Sequence, residues 1–137
     1  MRLRIIATVA IAGVAGAAVR WALRTGLDSE WALFVANVVG CSVVGWATAR
    51  HERARHRRPA GVGIGGVGRS DASLSVGLTM GFCGALTSMS ALALQLAGHL
   101  DHGRVATAGA WLGLTIAACT AAFVVSRCAV LVYARRP

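Results

Sequence analysis

Four apolar runs, Ile5–Leu23, Trp31–Thr48, Leu74–Leu96 and Val105–Val132, take up most of a chain of 137 residues. Each approaches the roughly 20 residues that a helix needs to cross a bilayer core. Within lipid a spanning segment must satisfy its own backbone hydrogen bonds, so such runs fold as helices. The stretches between them leave no room for a soluble domain. The chain therefore reads as all-α, one polytopic membrane domain over 1–137 with transmembrane helices at about 5–23, 31–48, 74–96 and 105–132 and a basic loop at 50–72. The opening MRLRIIATVAIAGVAGAA also has the form of a secretory signal, with Arg2 and Arg4 ahead of an apolar stretch. Its hydrophobicity continues to Leu23 and it carries Arg20, so it is read as the first span.

A net charge of +9 raises the question of nucleic acid, and the positions of the charges answer it. All 14 basic residues are arginine. Ten of them (Arg2, Arg4, Arg50, Arg53, Arg55, Arg57, Arg58, Arg69, Arg135 and Arg136) fall at the termini or between the second and third spans. With four spans these places share one side of the membrane, while the other two connections hold only Arg24 and Arg104. Arginine-rich flanks stay cytoplasmic, so the reading is a multi-pass protein of the cell membrane with both termini inside. Anionic lipid headgroups suit the RHERARHRR run, and no nucleic-acid partner is expected.

None of the five acids lies within an apolar run. Charges inside a membrane are expensive and mark ion paths, so the absence disfavours a cation-coupled exporter. The polar groups that remain are mainly donors, and donor-lined polarity without acids suits an anion. Cys41, Cys83, Cys119 and Cys128 all sit in spans without a CxxC spacing and read as packing residues. His99 and His102, next to Asp101, read as parts of a solvated connection. The loop PAGVGIGGVGRSDA contains a formal GxGxxG at Gly61, Gly63 and Gly66, yet no strand precedes it, and a flexible linker is the better reading.

The spans are not uniformly greasy. The first places Gly13, Gly16, Ala17 and Arg20 on one face, where small residues permit close helix approach. Arg20 reads either as a snorkelling arginine or as one that draws anions into a vestibule. The second has a stripe of Asn37, Gly40, Cys41, Gly45 and Thr48; Asn37 could glue helices together or present its NH2 group to an anion. The fourth stacks Trp111, Thr115 and Cys119 four residues apart, though a lone threonine in a helix commonly bonds its own backbone. The third is the most unusual. Gly77, Gly81 and Gly84 precede Thr87, Ser88 and Ser90, a composition suited to a helix broken inside the membrane. Such breaks survive when buried in protein or lining water, and their exposed ends coordinate ions.

Taken in order, these segments resemble the Fluc (CrcB) fluoride channel family. GAAVRW (16–21) is similar to its GAxxRY, VANVVGCSVVG (35–45) to its VNxxGSFxxG, and GFCGALTSMSALALQ (81–95) to its GFCGGxTTFSTFxxE. Trp111 and Thr115 fall where the family has a pore-lining tyrosine and serine. The resemblance implies an antiparallel, inverted-topology dimer with two narrow pores, a channel and not an enzyme, which passes fluoride passively out of the cell. It implies a fluoride path along Asn37, Ser88, Ser90, Trp111 and Thr115, and a structural Na⁺ held by the backbone carbonyls of Gly84 and Thr87.

The departures from the pattern matter. Met89 and Leu92 stand where the family has phenylalanines, and Gln95 where it has an acid. A phenylalanine ring edge is positive and can hold a dehydrating anion; methionine and leucine cannot. The departures and the arginine bias together favour a heterodimer with an inverted, phenylalanine-bearing homologue. The alternatives are a non-conducting partner subunit and a transporter of another small anion.

Overall fold

The computed structural model describes residues 2–56 and 77–133. The described chain is helical, with no strand, and four of its helical stretches are long and apolar enough to cross a membrane. Helix α1 covers Arg2–Gly26 and α2 covers Ser29–His56. A π-helical segment, Gly77–Cys83, runs into the single turn α3, Gly84–Leu86. Helix α4 follows over Met89–Asp101, and α5 over Val105–Tyr133.

Glycines decide which helices touch. A Cβ added at Gly16 would collide with the carbonyl of Phe82, and one at Gly81 would lie 2.5 Å from the carbonyl of Val9. The small face expected on the first span thus presses α1 against the π-helical segment, backbone on backbone. Between α2 and α5 the same part falls to Gly45, which is packed on the carbonyl of Phe123 and the hydroxyl of Ser126. In lipid no hydrophobic force separates helix faces from tails, so close packing of this kind holds the bundle together.

The two helices run parallel in a register that can be followed along their length. Near the start, Trp31 and Phe34 of α2 meet Trp111 of α5 edge to face, with centroids 5.1 Å and 6.2 Å away. Near the other end, the Arg127 guanidinium donates to both carboxylate oxygens of Glu52 at 3.0 Å.

Helices extend beyond the sequence-based bounds, α1 to Arg2 and Gly26. Helix α2 continues through residues 50–56, read as the start of the basic loop, while 57–72 lie outside the described residues. Alanine, glutamate and arginine are good helix formers, and Glu52 gains its partner on α5. His99 is a correction. It lies in the last turns of α4 at 4% exposure, rather than in a solvated connection.

Candidate functional site

The site begins where the third span leaves helical geometry. Thr87 (φ −82°, ψ 151°) and Ser88 (φ −153°, ψ 105°) are extended between α3 and α4. Two amides are diverted there from helical bonding. The Ser88 N–H donates to Asn37 Oδ1 at 3.0 Å, across 51 residues of sequence. The Ala91 N–H donates to the Ser88 hydroxyl, which caps α4.

Asn37 is 5% exposed, and its carbonyl oxygen is spent on this junction. Its NH2 group points from the other corner of the same planar amide. Gly40, one turn further along α2, is packed directly on the Thr87 methyl group and brings helix and junction together.

The carbonyls of Gly84 and Thr87 are the helical acceptors that these amides leave. In a continuous helix they would accept from Ser88 N and Ala91 N, both of which are bonded elsewhere. The Thr87 hydroxyl turns back to the Cys83 carbonyl at 2.8 Å. Gly84 faces away from the chain, with nothing within 4 Å of an added Cβ. Two carbonyls lacking their helical donors, one on exposed Gly84 and one on half-buried Thr87, are oxygen ligands of the kind a hard cation takes.

Beside the break lies a cavity of about 640 Å³. Ser88, Ser90 and Gln95 line it inside, and Arg20, Arg24, Glu30, His99 and Arg104 line it toward the two short connections. The hydroxyls of Ser88 and Ser90 are 3.2 Å apart. Gln95 Nε2 is buried and has no hydrogen-bond partner. From Glu30 to Asn37 the α2 axis rises about 10 Å. The cavity therefore joins a cationic mouth to a floor of donors. Cavity walls of low dielectric focus such a field and raise the local concentration of the opposite ion.

The other expected residues are placed differently. Trp111 packs in the Trp31–Phe34 aromatic cluster. Thr115 is buried, and its hydroxyl donates to the Trp111 carbonyl at 2.7 Å. Among the described residues no hydrogen bond links either of them to Asn37, Ser88 or Ser90. Met89 is 75% exposed and Leu92 only 3%, so the two positions do not share an environment within one chain. Arg24 and Arg104, which count in the sequence only toward orientation, belong to the cavity wall. The spacing of Arg20 and Arg24, one turn apart on α1, is the signal that could have shown it.

The fold and the site together define a four-span membrane protein whose polar groups gather at an interrupted helix. The family described as CrcB-like protein, Camphor Resistance (CrcB), matches residues 7–127, and the chain belongs to it. It is similar to the fluoride-specific ion channel FluC of Stutzerimonas stutzeri (strain A1501), at 31% identity over 119 residues, covering 81% of this chain and 84% of that one. It is also similar to the fluoride-specific ion channel FluC of Pseudomonas fluorescens (strain SBW25), at 29% identity over 121 residues with the same coverage.

Proposed function

We propose that this chain is a subunit of a fluoride-specific channel, a passive pore and not an enzyme, that lets fluoride leave the cytoplasm. The observation that carries the reading is the cavity that leads from Arg20, Arg24 and Arg104 down to Ser88, Ser90 and the Asn37 junction. Fluoride is small and strongly hydrated, so a path through lipid must replace its water with donors. The arginines concentrate the anion. Ser88, Ser90 and Gln95 Nε2 offer donors that are not locked into helix bonds, and the Asn37 NH2 follows at the junction. Indole and hydroxyl on Trp111 and Thr115 extend the path along α5, Thr115 once its proton swings away from the Trp111 carbonyl. The names of the relatives support fluoride as the ion.

The reading places the protein in the cell membrane with both termini cytoplasmic, supported by the arginine distribution. The functional unit is an antiparallel dimer, and the partner is an inverted homologue that retains the phenylalanines. Met89 and Leu92 motivate this, as does a charge bias that opposes insertion of the same chain upside down. The carbonyls of Gly84 and Thr87 fit a Na⁺ on the face that a partner would cover. When bound there it would supply a compact positive charge to carbonyls that have lost their helical donors.

A second reading has support in the same two residues. With Met89 and Leu92 in place of ring edges, this chain could complete a dimer whose single working pore uses its partner's phenylalanines. Growth of a fluoride-sensitive cell tests both readings. This chain alone gives weak or no resistance, and co-expression with an oppositely biased, phenylalanine-bearing homologue restores it. Full rescue by this chain alone contradicts the heterodimer, and no rescue by the pair contradicts the channel.

A further inference from the structure

The cavity is larger than fluoride needs. Fluoride is close in size to a water molecule, which takes up roughly 30 Å³ in the liquid, whereas the cavity holds about 640 Å³. Its lining is rich in donors. Arg20 and Arg24 stand one turn apart on α1, and Arg104 reaches the same cavity from the connection between α4 and α5. That connection is a hydrogen-bonded turn. Gly103, at φ +71°, takes the left-handed conformation that ends a helix. The Gly103 and Arg104 amides then donate to the Leu100 and His99 carbonyls at 2.9 Å and 2.8 Å.

Two observations set these arginines apart from side chains that only snorkel to the membrane surface. The first is charge. Among the described residues no carboxylate is paired with Arg20, Arg24 or Arg104. Glu30 is the one acid in the lining, and His99 Nε2 faces it at 3.2 Å. With the histidines counted neutral, three guanidiniums against one carboxylate leave two positive charges in excess. The second is position. Arg24 and Arg104 are the only arginines in the two connections on that side of the bundle, and both line the cavity. Further in, Ser88 and Ser90 offer hydroxyls, and Gln95 Nε2 is buried without a partner.

We propose that this cavity binds a doubly charged tetrahedral oxyanion, sulfate or hydrogen phosphate, from solution. A guanidinium presents paired N–H donors that match two oxygens of such an ion, and the excess of two charges matches a dianion. The ion is too wide to follow fluoride past Asn37, Leu86 and Leu92, all of which are buried. Its occupancy therefore blocks the path. The block, unlike the binding, rests on the fluoride-channel reading.

Sulfate is the probe, since it keeps both charges throughout the neutral range. Its binding to the purified protein in neutral detergent is measured by calorimetry, with ionic strength held constant by chloride because salt screens exposed charges. Wild type binds sulfate, and Arg20→Gln weakens the binding roughly tenfold through the loss of a charge-assisted hydrogen bond. Arg24→Gln and Arg104→Gln also weaken it; both residues are exposed, so these variants decide if Arg20→Gln does not fold. Arg50→Gln removes an equal charge near the other end of α2 and leaves the affinity unchanged. Absence of sulfate binding, or an equal loss in Arg50→Gln, overturns the proposal. Phosphatidate added to the micelles offers the same phosphate chemistry from a lipid, and its binding without that of sulfate overturns the proposal as well. In liposomes that carry fluoride flux, sulfate lowers the flux in proportion to its occupancy, and Arg24→Gln needs more sulfate for the same loss. Flux that ignores bound sulfate overturns the block. Absence of any fluoride flux overturns the channel reading, and the calorimetry still decides the binding.

Discussion

Asn37 separates two roles that the sequence alone leaves joined. Its oxygen holds the Ser88 amide, and in the proposed path its NH2 group is what meets the anion. Asn37→Ala removes both, whereas Asn37→Asp keeps an acceptor for Ser88 and replaces the donor with a charge that repels anions. A hydrogen bond to a charged group is worth about 1.5–3 kcal/mol. Both variants should therefore lose roughly tenfold or more in fluoride flux, with the Asp variant still assembling. Wild-type flux in Asn37→Asp would reduce the residue to structural glue. Thr115→Val should cost less than Asn37→Ala in the same assay, because the Thr115 proton is already given to the Trp111 carbonyl. A larger loss at Thr115 would mean that the hydroxyl turns inward during conduction.

At the scale of elements, glycine contacts separate substitutions that loosen the subunit from one that leaves it intact. Gly16→Ala and Gly45→Ala place a methyl group against carbonyls of a neighbouring segment, and overpacking of this kind costs about 1–3 kcal/mol. Thermal unfolding in detergent should show lower midpoints for both. Gly84→Ala meets nothing inside the chain, so the subunit's own packing is unchanged. If a partner covers that face, the variant instead lowers the yield of dimer on size-exclusion chromatography. Unchanged assembly would argue against an interface there. The Glu52–Arg127 pair is about 41% exposed on both sides, and Glu52→Gln should cost no more than about 1 kcal/mol.

The same elements show what local pattern can and cannot reveal. Hydropathy locates four spans because lipid demands about 20 apolar residues whatever the fold. The glycines and hydroxyls of 77–90 point to unusual backbone because each residue type has a conformational reason to be there. The end of α2 was not legible, since its charged residues look like loop until Arg127 supplies a partner from 75 residues away. The burial of His99 was hidden in the same way, as its cover comes from helices distant in sequence. Trp111 and Thr115 were legible as polar positions on α5. The Thr115 hydroxyl bonds back to its own helix, as a lone threonine commonly does, whereas the packing of Trp111 on Trp31 and Phe34 depends on helix register, which no short motif encodes.

For the whole molecule, the proposed orientation rests on ten arginines against two in the loops and termini. A cysteine placed at Ser70, outside the described residues, should resist impermeant reagents added to intact cells. A reporter fused after Pro137 should be active only if it is a cytoplasmic type. Labelling from outside would invert the topology and place the cationic cavity at the cytoplasmic end. The central claim is that donors gathered at an interrupted helix make a path for fluoride and for little else. The most direct measurement is ion efflux from liposomes that contain this chain with an inverted, phenylalanine-bearing homologue, read by fluoride and chloride electrodes after a potassium ionophore is added. The account predicts prompt fluoride release with chloride retained; no fluoride release, or chloride leaving at a comparable rate, would contradict it.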